Sequence, residues 1–502
     1  MDAWALISVS DKEGVEDVAR SLQEQGLKLL ATSSTAQYLQ ERGLAVQTVE
    51  SLTGFGAILD GRVKTLHPVI YAGLLASSGA SHQAQRIGLG APDIRVVIVN
   101  LYPFEQRWQG EDVDTSLIEE IDIGGVSLLR AGAKNFERVA VLVSPTQYAA
   151  FLAVPWAEQD TSFRRRLARV AFEHVAYYDA VIAQALRAPD EPWPEQLVLA
   201  GRRQGSLRYG ENPHQPGAFY RTVPGRGFAT ASIVQGKGLS YNNYADADTA
   251  VRLAYDFEQP TAVVVKHQTP CAVAVADSID RAYVRAHEAD PVSIFGGIVA
   301  VNRPVDGPLA QHLTDIFLEV VVAPAVTDEA RAVLAQKKNL RVLVMPKEPI
   351  ENWDLRGIWG GFLVQPHDTF KSARRKWRHV AGPESSPAVE EDLELAWKVV
   401  ARAKSNAIVV AKAGVTLGIG SGQTNRIDAA RQALERAGAG ARGAVLASDG
   451  FFPFDDVLRL ASECGVAVVI EPGGSVRDQD SIMVADAAGI TLMMTDERHF
   501  RH

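Results

Sequence analysis

Two apolar periods alternate through the first fifty residues. Ala3-Trp4-Ala5-Leu6-Ile7-Ser8-Val9 is a buried-strand run, and the polar stretch Ser10-Asp11-Lys12-Glu13 after it has the form of a capping box, Ser10 as N-cap and Glu13 at the third helical position. Val15, Val18, Ala19 and Leu22 then fall on one face of a helix that Gly26 ends. Leu27–Ala31 predicts a second strand, Thr32-Ser33-Ser34-Thr35 a polar turn, Ala36–Arg42 a second helix and Leu44–Val49 a third strand. Further β-rich runs stand at Ile94–Val99 and Val139–Val143. Strands alternating with helices predict a parallel sheet covered on both faces.

Pro189, Pro192 and Pro194, set among acidic residues, cannot continue a helix. They predict a boundary between a domain over 1–195 and a larger one over 196–502. Beyond it, strand-like runs recur at Thr261–Val265, Ile298–Val301, Val320–Ala323 and Arg341–Met345, and again at Ala407–Ala411, Val415–Ile419, Ala444–Ala447, Val466–Ile470 and Thr491–Met494. Two such groups predict two α/β lobes, although no sequence repeat is strong enough to establish a duplication. Leu434–Ala444, rich in Gly and Ala, predicts a loop.

Composition narrows the class. The 51 Lys+Arg against 60 Asp+Glu give −9, so the chain is no general binder of polyanions, and nucleic acid is not an expected partner. Any anionic substrate needs a local basic pocket. The basic runs Arg164-Arg165-Arg166 and Arg374-Arg375-Lys376 read as solvated helix faces. The two cysteines, Cys271 and Cys464, exclude a disulfide scaffold and suit a reducing cytoplasm. No apolar run approaches the length of a membrane span, so a soluble, cytoplasmic, multidomain protein is expected.

In open parallel sheets, ligands gather at the carboxyl ends of strands, where helix N-termini attract anions. That rule selects Ser10-Asp11-Lys12, Thr32–Thr35, Asn100-Leu101-Tyr102 and Ser144, with Arg62, Lys64 and Thr65 of the loop Gly61–Pro68 adding cations and a hydroxyl. Asp122 stands between two isoleucines, ahead of Arg130 and Lys134; a buried carboxylate needs a partner, which reads either as a structural Asp–Arg pair or as chemistry. In the second domain Val263-Val264-Val265 runs into Lys266-His267, a cation and a base at a strand end, or else a hydrogen-bonded structural pair. Arg208–Gln215 is dense in hydrogen-bonding side chains. Gly418–Arg426 is a Gly-rich turn, and Ser448–Phe454 sets aromatic surface beside carboxylates, suited to a planar heterocycle or to anchoring a loop. Gly418-Ile419-Gly420 lacks the dinucleotide spacing, and no Walker A run occurs. Pro270-Cys271 lacks the second cysteine and His-x-Glu partner of a zinc deaminase, so no metal is expected.

The motifs SVSDKEGV (8–15), GRVKTLHP (61–68), NLYPF (100–104), IDIGGVSLLRAGAKN (121–135), LRYGENPHQ (207–215), LSYNN (239–243), VVKHQTPC (264–271), FGGIVA (295–300), KSNAI (404–408), GIGSGQTNRID (418–428), SDGFFPFDD (448–456), PGGSVRDQD (472–480) and RHFRH (498–502) occur in one order along the chain. In this the sequence resembles the AICAR formyltransferase/IMP cyclohydrolase family over essentially its whole length. The resemblance implies an α/β protein with an N-terminal methylglyoxal-synthase-like parallel-sheet domain and a larger C-terminal duplicated cytidine-deaminase-like α/β domain without zinc. It implies formyl transfer from 10-formyltetrahydrofolate, the folate co-substrate, to AICAR, dehydrative closure of FAICAR to IMP, and a homodimer with formyltransferase sites at the subunit interface. The alternative is a formyltransferase whose first domain is only a regulatory nucleotide-binding module, which would need no Asp122 and Lys134.

By the same resemblance His267 is the base and Lys266 the oxyanion stabiliser of formyl transfer. Arg208, Tyr209, Gly296, Glu319, Asn406, Arg426 and Arg498 would hold AICAR, and Phe451, Asp456 and Ser475 would meet the folate. In the cyclohydrolase Lys134 would move the proton, with Asp122, Lys64 and Tyr102 around the reacting groups. Ser10, Asp11, Lys12, Thr32, Ser33, Ser34, Thr35, Arg62, Thr65 and Asn100 would bind its nucleotide. Ser33 and Ser34 stand where similar sequences carry glycines; serine takes positive φ less freely, which implies a reshaped phosphate cradle. Gly132, in place of alanine, implies a looser segment before Lys134.

Overall fold

A computed structural model describes residues 2–188, 193–348, 353–370 and 377–502; Pro189, Pro192 and the run Arg374-Arg375-Lys376 lie outside them. The chain divides into two units, one of Met1–Arg202 with Thr222–Pro224, the other of Arg203–Arg221 with Gly225–His502.

In the first unit β1 (Ala3–Val9), β2 (Lys28–Ala31), β3 (Val46–Thr48), β4 (Asp93–Asn100) and β5 (Ala140–Leu142) form a sheet of order β3-β2-β1-β4-β5, every pair parallel. Alternate side chains are buried on both faces: Leu6, Leu30, Val97 and Val141 in one core, Ile7, Leu29, Ile98 and Leu142 in the other. The helix Thr161–Ala185 covers the first core with Ala168, Ala171, Val175 and Val181, and Ala200 and Val223 complete it. The chain winds from β1 to β3 on one side and returns to β4 and β5 on the other. In sheets of this kind ligands collect at the switch point, which here falls between the carboxyl ends of β1 and β4.

Several local expectations are corrected. The first helix runs Val15–Glu24 from Gly14, at φ +63°, so Ser10 is not its cap. The next helix, Ser33–Gln40, begins at Thr32 and takes up the expected turn. Arg164 is no solvated side chain, because it donates to Phe136 O at 3.0 Å and Glu137 O at 2.8 Å. The expected loop after Leu434 is still helix as far as Ala437.

The second unit contains β6 from Arg203 to Leu207 (the strand itself begins at Arg202), β7 (Gly217–Arg221), β8 (Ser232–Gln235), β9 (Thr261–Lys266), β10 (Thr269–Val275), β11 (Ile298–Val301), β12 (Val320–Ala323), β13 (Arg341–Val344), β14 (Trp353–Ile358), β15 (Gly361–Pro366), β16 (Arg378–Ala381), β17 (Ile408–Lys412), β18 (Val415–Gly420), β19 (Val445–Ser448), β20 (Val468–Glu471) and β21 (Thr491–Met494). Among the described residues its main sheet has twelve strands, ordered β16-β21-β20-β19-β17-β18-β10-β9-β11-β12-β13-β8. That order reads alike from both ends, each half being an antiparallel hairpin followed by three strands joined through helices. The duplication that no sequence repeat established is plain in the ladder. Unlike the first sheet, this one is mixed, since β9–β10, β10–β18 and β17–β18 are antiparallel. The related helices Tyr241–Tyr255 and Pro387–Arg402 pack on one shared face through Ala250, Ala254, Ala396, Trp397 and Val400.

Candidate active sites

Asn100 builds the first crevice. Its Oδ1 accepts the Ser10 N–H at 2.6 Å and the Asp11 N–H at 3.0 Å, while Nδ2 donates to Asp11 O at 2.9 Å. Ser10 Oγ lies 2.9 Å from both Asn100 Oδ1 and Leu101 O, so its hydroxyl ties β1 to β4 rather than capping a helix. Lys12 Nζ bonds Val9 O and sits 2.9 Å from the buried Thr35 Oγ1; burial holds its ammonium below the usual lysine range. The N-terminus of Ser33–Gln40, directly after β2, brings Thr32, Ser33 and Ser34 to the same end of the sheet. Neither serine has positive φ. A helical first turn supplies backbone N–H groups from any L-residue, so neither serine needs the conformational freedom of glycine here.

Asp122 stands at the head of the helix Gly124–Lys134. Its Oδ1 accepts the Gly125 N–H at 2.6 Å, and its own N–H donates to Tyr178 Oη at 2.9 Å. Burial pushes its carboxyl up, opposed by the N–H groups of Gly125 and Tyr102 and by the Lys64 charge. These are its partners; the structural pairing with arginine, one of the two readings of the sequence, is replaced by backbone donors, and the Arg130 guanidinium lies over Phe172 at 5.8 Å. A Cβ on Gly125 would stand 2.5 Å from Asp122 Oδ2, so only glycine admits the carboxylate over this helix end. Thr65 Oγ1 lies at the same end, 2.9 Å from the place of a Gly124 Cβ. Tyr102 keeps its side chain 40% exposed, and Arg62 turns to Glu119.

Lys134 is not part of this group within one chain. It ends the eleven-residue helix that Asp122 heads, about 15 Å away at ~1.5 Å per residue. Its neighbour Asn135 donates to Leu74 O and Ala76 O, at the amino end of the sheet. Gly132 does not loosen this segment: a Cβ there would come within 2.9 Å of Val141 Cγ2, so glycine lets the helix lie close on β5. Sequence reasoning missed Tyr148, which packs beside Gly14 and whose phenol burial and the Asp11 charge push up to about 12.

In the second unit, strand direction sorts the candidates. β9 ends, and β11, β12 and β13 begin, at one edge of the sheet; β18, β19, β20 and β21 end there. Lys266, His267, Gly296, Glu319, Asn406, Arg426, Phe451, Asp456, Ser475 and Arg498 all flank that edge. Arg208 and Tyr209 belong to the loop whose Glu211 O accepts from Asn242, next to Asn243, which donates to Glu319 Oε2 at 2.8 Å.

His267 and Gln268 form a two-residue hairpin turn with φ of +56° and +60°. Two non-glycine residues in this region cost about 1–2 kcal/mol each. Asp246, a residue sequence reasoning passed over, offsets that strain: its two oxygens accept the His267 N–H at 3.1 Å and the Gln268 N–H at 2.7 Å. The imidazole is left exposed at the edge, and Lys266 Nζ lies along it, 3.0 Å from Phe295 O. Four strand spacings away, about 19 Å at ~4.8 Å per strand, Arg426 bonds Asp449, Ser448 Oγ and Asn406 Oδ1 in a buried network. Phe451 and Phe454 present exposed rings beside it, with Arg477 over Phe454 at 4.9 Å. One chain thus carries two clusters on one edge rather than a single pocket.

At the opposite edge lies a groove of about 620 Å³ lined by Lys412, Ala413, Gly414, Arg281 and Asp392. Its turn corresponds to that of His267, but alanine stands where the histidine would be.

The sequence profile of the "AICARFT/IMPCHase bienzyme" family matches residues 132–436, and that of the "MGS-like domain" matches 14–127. Proteins named bifunctional purine biosynthesis protein PurH are similar along the whole length. The one from Oceanobacillus iheyensis is 45% identical over 510 residues, covering 100% of both chains. That from Bacillus cereus is 46% identical over 511 residues, again 100% of both, and that from Listeria monocytogenes 45% over 507 residues, 99% of both.

Proposed function

The chain belongs to the AICARFT/IMPCHase bienzyme family and catalyses the last two steps of IMP synthesis, and from that premise we propose that each unit carries one of them. Formyl transfer to AICAR falls to the second unit and closure of FAICAR to IMP to the first. The family's one-carbon donor is a folate, which we take to be 10-formyltetrahydrofolate.

The observation that carries the reading is the strained turn holding His267 at the sheet edge. The 5-amine of AICAR is conjugated with its ring and is a poor nucleophile. As it adds to the formyl carbon, His267 accepts its proton, and Lys266 stabilises the oxygen that becomes negative. The exposed rings of Phe451 and Phe454 suit a flat heterocycle such as a pterin. The separation of His267 from the Arg426–Phe451 cluster supports a homodimer in which the edge of one chain completes that of its partner.

Cyclisation joins two groups already on one molecule, so orientation supplies much of the rate. Ser10–Lys12 and the helix end at Ser33 would hold the nucleotide phosphate. Lys64 and Tyr102 would orient the formyl group and carboxamide beside Asp122, whose raised carboxyl can exchange a proton with the ring-closing nitrogen or the departing water. Lys134, at the far end of its helix, would reach such a centre only from a second copy.

Incubating purified protein with AICAR and 10-formyltetrahydrofolate tests the assignment. Tetrahydrofolate and IMP should both form, and His267→Ala should abolish the first product while supplied FAICAR still closes. Unimpaired formyl transfer by His267→Ala would remove it as the base.

A further inference from the structure

Glu471 ends β20 on the ligand edge and is completely buried. Its Oε2 accepts the Phe452 N–H at 3.0 Å and the Gly473 N–H at 3.4 Å. Oε1, equally buried, has no hydrogen-bond partner among the described residues. Phe452 lies in the loop after β19 and Gly473 in the loop after β20, so one carboxyl group joins the two loops that present Phe451 and Ser475.

The duplication supplies an internal control. β12 and β20 correspond, and the ladders equate Glu471, opposite Met494, with Ala323, opposite Val344. Proline follows in both halves, as Pro472 and Pro324. The first half closes the same corner with a methyl group, so the fold does not require a carboxyl there. A buried carboxyl with an unpaired oxygen is expensive, and more so when charged. It is retained where the donor loops meet.

We infer that Glu471 is a positioning residue for formyl transfer, which as a neutral carboxylic acid holds the loops of Phe451 and Ser475 in the arrangement that binds the formyl donor. This rests on the reading of those loops as the folate site. The charged groups facing Glu471 are Asp478, on the helix Asp478–Ala488, and Arg426, on the helix Arg426–Ala437. Burial pushes the carboxyl up to about 7, Asp478 adding to the rise and the two N–H groups and Arg426 opposing it. Ionisation places a buried negative charge beneath both loops, and the donor site opens to admit water.

The test is the KM for 10-formyltetrahydrofolate from pH 6 to 8.5, measured on the full chain. In the parent it should rise by up to about tenfold per pH unit above 7, with kcat and the KM for AICAR little changed. Glu471→Gln, a neutral isostere, should keep the low-pH KM and flatten the profile. The parent should also lose thermal stability relative to Glu471→Gln as pH rises from the ordinary glutamate range to 7, because its native state alone retains the proton there, and then level off. A Glu471→Gln profile identical to the parent's overturns the inference, as does a uniform rise in KM matched by lower stability at every pH. If the variant does not fold, a flat donor-KM profile in the parent overturns it. Phe451→Ala separates the underlying reading: unchanged donor KM there removes the folate assignment itself, whereas a raised one with an unaltered Glu471→Gln profile removes only the role of Glu471.

Discussion

Asp246 and Asp392 occupy the same place in the two halves of the second unit. Each reaches from its helix to a left-handed turn beginning 21 residues later and accepts both of its N–H groups: those of His267 and Gln268 in one case, of Ala413 and Gly414 in the other. The scaffold is duplicated, but only one copy carries an imidazole.

Asp246→Ala and Asp392→Ala should therefore destabilise alike and differ in function. Each loses two charge-assisted bonds, about 3 kcal/mol in all. Only Asp246→Ala should lower formyl transfer, by about 10²-fold, through misplacement of His267. Thermal unfolding beside steady-state formyl transfer checks this. Equal activity losses would mean that Asp246 acts only through stability.

Relieving the turn should trade activity for stability. Asn-Gly is the preferred pair for a hairpin turn with two positive φ angles. The double variant His267→Asn, Gln268→Gly should gain about 1–2 kcal/mol, raising the unfolding midpoint, while formyl transfer falls about 10²–10⁴-fold. A lower midpoint would show that the turn is not strained, and retained transfer would show that His267 is not the base.

The placement of Lys134 makes complementation informative. Lys134→Ala and Asp122→Asn should each cyclise FAICAR poorly, yet co-assembled chains should regain measurable IMP formation, because one crevice then has Asp122 and receives Lys134 from its partner. No recovery would exclude service across subunits. Full activity of Lys134→Ala alone would take the residue out of the reaction.

A fragment ending at Gln196 is cut inside the first core. It lacks Ala200 and Val223, both buried there, and the bond from Gln184 Nε2 to Val223 O at 2.8 Å. A fragment ending at Gly225 should be more stable by about 2–4 kcal/mol and should close FAICAR to IMP without the rest of the chain. Denaturant midpoints and FAICAR turnover compare the two; a folded 1–225 fragment without cyclisation would undo the proposed division of labour.

Local chemistry was legible where it depends on near neighbours. Ile298–Val301 and Val320–Ala323 announce themselves as strands because every side chain is apolar in a sheet covered on both faces. The order of motifs, from Ser10 to the last residue, already implied the family. Other features depend on groups distant along the chain. Ser10 reads as a cap until Asn100 of β4 takes its N–H and hydroxyl, and Asp122 reads as an arginine partner until two backbone donors reach it. Pro270-Cys271 conceals β10, whose pairing with β9 creates the turn. Asp246 carries no local signal, since its meaning is a pair of bonds to a turn one strand away. Lys134 and Asp122 look adjacent in a motif, yet a rigid helix with its fixed rise per residue holds them at opposite ends. Motifs specify which groups are present; strand direction, helix length and register decide which of them meet.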